Sequence, residues 1–260
     1  VSKLAERIRR ALRVDSPPIG FGPAARVSKP SLLLAAILPS FSAEAAKEAV
    51  SRGADTCLFT VSHAKDEEMK KVVQALGEVP CGIHLAQVDD EAAAHLAKLG
   101  VDYAAFEPET ALATALLESN LGHVLSLDSD LPDIYLRTLE AIPLDAVLLR
   151  QWKGPLTVRQ QMELQRISGL ARKPLILPVW PQVTSAELQM LREAAVIAVA
   201  LEGDRRSSLD ALASLRKVID ELPPRRRPRK EHAEAVLPRL AEAAASTTDE
   251  EEEEEEDWEP

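Results

Sequence analysis

Short apolar runs recur along the chain at a steady interval, and several open on one phrase. It reads Gly53-Ala-Asp-Thr-Cys-Leu-Phe-Thr60, then Gly100-Val-Asp-Tyr-Ala-Ala-Phe-Glu107, then Pro143-Leu-Asp-Ala-Val-Leu-Leu-Arg150, then Ala195-Val-Ile-Ala-Val-Ala-Leu-Glu202. The first residues of these phrases lie 47, 43 and 52 positions apart. Each follows an amphipathic segment, and each gap holds one further apolar run and one further amphipathic segment. Apolar runs this short, bounded by turn residues, suit strands covered on both faces. The pattern predicts strands over 31–38, 56–61, 80–86, 102–107, 123–128, 146–150, 174–179 and 197–202. It predicts helices over 43–52, 67–76, 90–99, 110–119, 133–141, 157–170, 185–194 and 207–222.

Strict alternation with short links implies parallel strands joined by right-handed crossovers. Eight such units favour closure, so the expected fold is α/β, a (β/α)8 TIM barrel. An open doubly wound sheet is the alternative. Start signals support the helices: Thr184 with Glu187 three positions on forms a capping box, and Ser42, Asp66, Asp89 and Ser207 stand at other helix starts.

Outside the repeats the pattern changes. Residues 2–13 read as an amphipathic helix with Leu4, Ile8, Ala11 and Leu12 on one face, ended by Asp15-Ser-Pro-Pro. Ile19-Gly-Phe-Gly-Pro23 lacks the third glycine and the strand–turn–helix setting of a dinucleotide fingerprint, and is read as a lead-in that closes the barrel bottom. The expected organisation is an N-terminal helix and lead-in over 1–30, the barrel over 31–222, a basic Pro/Arg linker with a short helix over 223–245, and a disordered acidic tail over 246–260.

Charge and composition sharpen this picture. The formal net charge is −11, but the stretch 249–259 carries ten acidic residues, so the remainder stands at about −1. A near-neutral body without a basic face, and only 3% aromatic residues, argue against nucleic acid as a partner. No apolar run is long enough to span a bilayer and no signal-peptide pattern opens the chain, so a cytoplasmic protein without membrane attachment is expected. Cys57 and Cys81 fall inside strands and read as small buried hydrophobes. The acidic tail, with Trp258 inside it, is a candidate docking peptide for a protein partner; a purely solubilising tail is the simpler reading.

Chemistry in such a barrel belongs at the C-terminal strand ends. Aligning the repeats puts Thr60, Glu107, Arg150 and Glu202 at one level of the interior, on strands two, four, six and eight. Arg150 is then flanked by two glutamates. Either the three neutralise one another and plug the mouth, or Arg150 holds a ligand carboxylate or phosphate while a glutamate moves protons. Strand parity adds His84 and Asp128 as inward residues on strands three and five, and turns Gly82 and Ser126 inward with them. His84 is a candidate base or metal ligand. Asp128, Glu107 and Glu202 are candidate proton carriers or oxygen ligands for a divalent metal. Trp152 and Trp180, in the loops after strands six and seven, are candidates to roof a pocket. Gly203-Asp-Arg-Arg-Ser-Ser208 could offer backbone N–H groups to a phosphate, though the loop after strand seven, Trp180-Pro-Gln-Val-Thr184, has no glycine.

The Gly-x-Asp-plus-strand phrase over residues 31–222 resembles the aldolase-type TIM barrels, a superfamily of lyases, phosphate-ligand enzymes and flavin-dependent oxidoreductases. The chain departs from two of its patterns. Strand six ends in Arg150 where Schiff-base aldolases carry a lysine near a strand end, and only Gly203 remains of a glycine-rich cofactor loop. A Schiff-base lysine and flavin are therefore disfavoured, a divalent metal stays open, and no cofactor is assigned. The expected function is a small-molecule enzyme binding an anionic metabolite at the rim, with lyase- or isomerase-type acid/base chemistry. The alternative is a non-catalytic barrel that binds or assembles through its surface and charged tail.

Overall fold

The computed structural model describes residues 2–12, 32–60, 65–150, 154–203 and 206–223. Eight parallel strands close into a barrel in sequence order: β1 (Leu33–Leu38), β2 (Thr56–Thr60), β3 (Cys81–Leu85), β4 (Tyr103–Phe106), β5 (Gly122–Leu127), β6 (Ala146–Leu149), β7 (Leu175–Pro178) and β8 (Val196–Glu202). β8 pairs back onto β1, from Leu33 opposite Ala198 to Ile37 opposite Glu202. The open-sheet alternative is thereby excluded.

Alternation along the strands divides the core in two. Leu33, Ala35, Leu58, Ala105, Val124, Leu148, Ile176 and Ala200 fill the barrel, while Leu34, Cys57, Phe59, Leu125, Leu149 and Val199 pack outward against the helices. Both cysteines are free and buried, and burial pushes each thiol up to about 12, far from any thiolate chemistry. Tyr103 stands inside the barrel with its hydroxyl 3.1 Å from Thr56 Oγ1.

The outer layer follows the strands in order. It comprises α2 (Ala43–Ser51), α3 (Asp66–Leu76), α4 (Asp90–Leu99), α5 (Asp133–Thr138), α6 (Val158–Ala171), α7 (Ser185–Glu193) and α8 (Arg206–Asp220). Ser42 caps α2 through Ala45 N, Asp89 caps α4 through Ala92 N, and the Thr184–Glu187 capping box is complete in both directions. A second complete box, Thr157 with Gln160, opens α6. Asp66 sits in the first turn of α3, after Lys65 in the cap position. Ser207 is likewise inside α8, which starts one residue earlier.

The main departure follows β4. The helix expected over 110–119 is a 3₁₀ turn, Ala113–Leu117. Ala111 forms a parallel bridge with Val88, and Leu112 N donates to Val88 O at 2.8 Å. That draws 111–112 into extended backbone and removes the first turn of the expected helix. The segment 133–141 also ends early: α5 gives way to a second 3₁₀ turn, Leu139–Ala141.

α1 (Lys3–Leu12) closes the barrel bottom; the lead-in, expected to do so, lies outside the described residues. Leu4 and Ile8 enter the interior cluster. The aspartates of the repeated phrase secure this helix. Asp102 accepts from Lys3 N at 2.7 Å and Leu4 N at 2.9 Å, Asp145 accepts from Ser2 Oγ at 3.2 Å, and Asp55 pairs with Arg7 at 3.7 Å. Asp55 also accepts from Leu34 N and from Arg216. The residues that made the repeat legible therefore work at the end opposite the rim. The basic linker from 224 onward and the acidic tail lie outside the described residues. Among the described residues no helix is long and apolar enough to cross a membrane.

Candidate active site at the C-terminal rim

The register fixes which strand ends meet. Thr60 stands opposite His84, Phe106 opposite Leu125, Leu127 opposite Leu149, and Glu202 opposite Ile37. Because the strands tilt, each step around the barrel descends by one residue relative to the axis. Thr60, Glu107, Arg150 and Glu202 consequently share one interior level. A second ring, Ile37, His84, Ser126 and Pro178, lies one residue beneath it, and Asp128 stands one residue above.

Arg150 is the centre of this array. Its Nε donates to Asp128 Oδ1 at 3.2 Å and its Nη2 to Asp128 Oδ2 at 2.7 Å, a two-pronged contact. Its Nη1 donates to Glu107 Oε1. The three side chains keep about a third of their surface exposed: 32%, 38% and 30% for Arg150, Asp128 and Glu107. Burial works against the charged guanidinium, but Asp128 and then Glu107 hold it above the ordinary arginine value.

The flanking pair is therefore Glu107 and Asp128, where the repeat alignment alone suggested Glu107 and Glu202. The reason is geometric. Asp128 is on the neighbouring strand in line with Arg150, and its short carboxylate meets the guanidinium edge directly. That contact turns the remaining nitrogen toward β4 and away from β8. Glu202 and Thr60 are exposed at the rim and take no part in the contact.

His84 lies beside this group, half-buried on β3. Burial lowers its pKa; the positive charge of Arg150 adds to this and the negative charge of Glu107 opposes it. The ring is thus held neutral at pH 7 and can accept a proton. With Glu107, Asp128 and Arg150 it stands at the C-terminal ends of four successive strands, β3 to β6.

The loop that carries Asp128 is supported from behind. Arg166 on α6 donates to Ser129 O at 2.9 Å and Leu131 O at 3.2 Å, and bridges Glu163 and Asp133. Sequence reading had no signal for this contact, because Arg166 looks like an ordinary exposed helix residue.

Trp180 packs, half-buried, against the core between barrel and helices, so its indole joins the outer layer. Trp152, Lys153, His63 and residues 204–205 of the glycine-led loop lie outside the described residues. No group of three or more His, Cys, Asp or Glu side chains able to hold a metal is found among the described residues. Glu107 and Asp128, the candidate oxygen ligands, both contact the Arg150 guanidinium. Away from the rim, an apolar hollow of about 410 Å³ lies outside β4 and β5, under the 3₁₀ turn and α5. It occupies the sector that lacks a full helix, and Leu117 and Ile134 are exposed beside it.

No family model matches the chain, and no curated protein matches it by sequence. Solved structures do. A mutant tryptophan synthase alpha-subunit from Pyrococcus furiosus is similar at a TM-score of 0.57 and 12% identity, over 74% of this chain and 97% of that one. Tryptophan synthase from M. tuberculosis in its open form is similar at a TM-score of 0.61 and 13% identity, over 86% of this chain and 99% of that one. At such identities the likeness concerns the fold alone, the closed (β/α)8 TIM barrel.

Proposed function

We propose that the protein is a small-molecule enzyme performing lyase- or isomerase-type acid/base chemistry on an anionic metabolite at the C-terminal rim. The observation that carries this reading is the run His84, Glu107, Asp128 and Arg150 on consecutive strands, at the end of the barrel where such folds keep their chemistry. A ligand carboxylate or phosphate exchanges with one of the rim carboxylates on Arg150. The freed carboxylate and neutral His84 then stand beside the bound group with proton-accepting capacity. A base in that position removes a proton from the carbon next to the ligand's carbonyl or carboxylate; the C–H electron pair moves onto the oxygen as an enolate, which Arg150 stabilises. Return of the proton at a neighbouring atom gives an isomerase, and departure of a substituent gives a lyase. The similarity to a lyase fold agrees with this reading at the level of architecture.

A second reading keeps the barrel non-catalytic, as a binding or assembly subunit. One observation favours it: Arg150 already has two carboxylates, so the rim is self-satisfied without a ligand.

A thermal-shift series with malonate, pyruvate and inorganic phosphate separates the two. The enzyme reading expects a concentration-dependent rise in Tm with at least one anion, abolished in Arg150→Gln. A flat response of the unaltered protein to all three would overturn it in favour of the second reading.

A further inference from the structure

Ser126 is fully buried on β5, and its hydroxyl has no hydrogen-bond partner among the described residues. A buried hydroxyl without a partner is uncommon, and in a working protein it marks either a cost or a contact completed by something else. Its place argues for the second. Parity turns Ser126 into the barrel, on the same face as Asp128 two residues on and Val124 two residues back, which belongs to the interior cluster. The register continues from Leu125 opposite Phe106, so Ser126 stands beside Glu107 and one level beneath the ring that holds Arg150. The level below it is formed by Leu58, Ala105, Leu148 and Ala200, all buried in the interior cluster, so Ser126 is the polar group directly above an apolar floor.

From this the geometry points to Ser126 as the floor of the ligand site, a hydrogen-bond donor to a second oxygen of a small 2-oxo- or 2-hydroxycarboxylate whose carboxylate lies on Arg150. The inference rests on the reading of the rim as an anion site and adds the ligand class. A carboxylate on Arg150 with an oxygen on the adjacent carbon sends that oxygen downward by roughly one residue's rise along a strand, about 3.3 Å. Ser126 is the unpaired polar group found at that depth. An acid lacking the second oxygen leaves the hydroxyl unpaired, which sets the preference. The ion pair over the site explains why Ser126 is closed to solvent: the ligand displaces a rim carboxylate as it enters.

The test compares binding of pyruvate, glycolate and acetate to the full chain and to Ser126→Ala by titration calorimetry, with Tm recorded for both proteins. The expected result is that pyruvate or glycolate binds at least tenfold more tightly than acetate, that Ser126→Ala removes this difference while acetate binding is unchanged, and that Tm stays level or rises. An unaltered preference in Ser126→Ala, or a clear drop in Tm showing that the hydroxyl was bonded within the protein, overturns the role of Ser126 while anion binding at Arg150 stands. Absence of binding by all three acids to the unaltered protein overturns this inference, while the rim reading falls only with a flat thermal-shift response to malonate, pyruvate and phosphate.

Discussion

The ring of Tyr103 occupies the space that a side chain at Gly82 would need. A Cβ built on Gly82 falls 2.1 Å from Tyr103 Cζ, so glycine on β3 and tyrosine on β4 are one packing unit. Tyr103 fills the barrel interior, and its hydroxyl is bonded to Thr56, which in turn donates to Pro80 O.

Gly82→Ala therefore forces the aromatic ring or the strand to move. The expected cost is about 1–3 kcal/mol, the usual range for overpacking a filled core. Urea unfolding of Gly82→Ala alone and with Tyr103→Leu checks it: the double variant should recover part of the loss, and additive effects would refute the coupling.

At the opposite end, Asp102 caps α1 through two backbone N–H groups. Asp102→Ala is expected to cost about 1–2 kcal/mol, as for loss of a helix cap. Hydrogen exchange should show the loss concentrated in residues 3–12. Uniform loss of protection across the barrel would mean that α1 is not held separately.

Ala195 is the one described Ala in a left-handed backbone conformation, with φ at 62°. It takes the place that Gly53 and Gly100 hold in the corresponding phrases, where φ is 98° and 85°. Ala195→Gly removes the Cβ clash and is expected to raise stability by up to about 1 kcal/mol. A lower urea midpoint for Ala195→Gly would contradict this.

Burial lowers the pKa of His84, and likewise that of His123, so the folded chain binds fewer protons at these sites than the unfolded chain does. Their contribution to stability is intact above the ordinary histidine value of about 6.5 and is lost as pH falls through it toward the lower folded value. Stability measured between pH 7.5 and 5 should fall, and His84→Gln should flatten part of that slope. An unchanged slope in His84→Gln would assign the effect to His123 or elsewhere.

The rim ion pairs are about a third exposed, so they are worth at most about 1 kcal/mol each. Arg150→Gln should accordingly remain folded, with a Tm close to that of the unaltered chain. Circular dichroism melting checks this, and a collapse of Tm would show that the cluster is structural.

Much of this architecture was legible beforehand for one reason: every strand is short, apolar and bracketed by turn residues, so period and length agree. Interior parity at the rim was legible as well, since a period of two carries from Leu58 to Thr60 and from Leu148 to Arg150 without further information. The identity of Arg150's second partner was not. It depends on a stagger of one residue between β5 and β6 and on side-chain reach, and neither leaves a trace in a linear pattern. The helix expected after β4 failed for a similar reason. Its composition suits an α-helix, but a hydrogen bond to Val88, 24 residues away, takes its first turn. Ser126 was seen only as an inward residue, because a lack of partners is a property of the packed neighbourhood.

The fastening of α1 by aspartates at the start of β2, β4 and β6 makes the barrel a well with a sealed base. Whatever enters must leave by the mouth it came through, so the order of arrival and departure is set there. It also separates upkeep from invention: strand-end residues can be randomised in a library while the foundation that keeps the chain folded is left untouched.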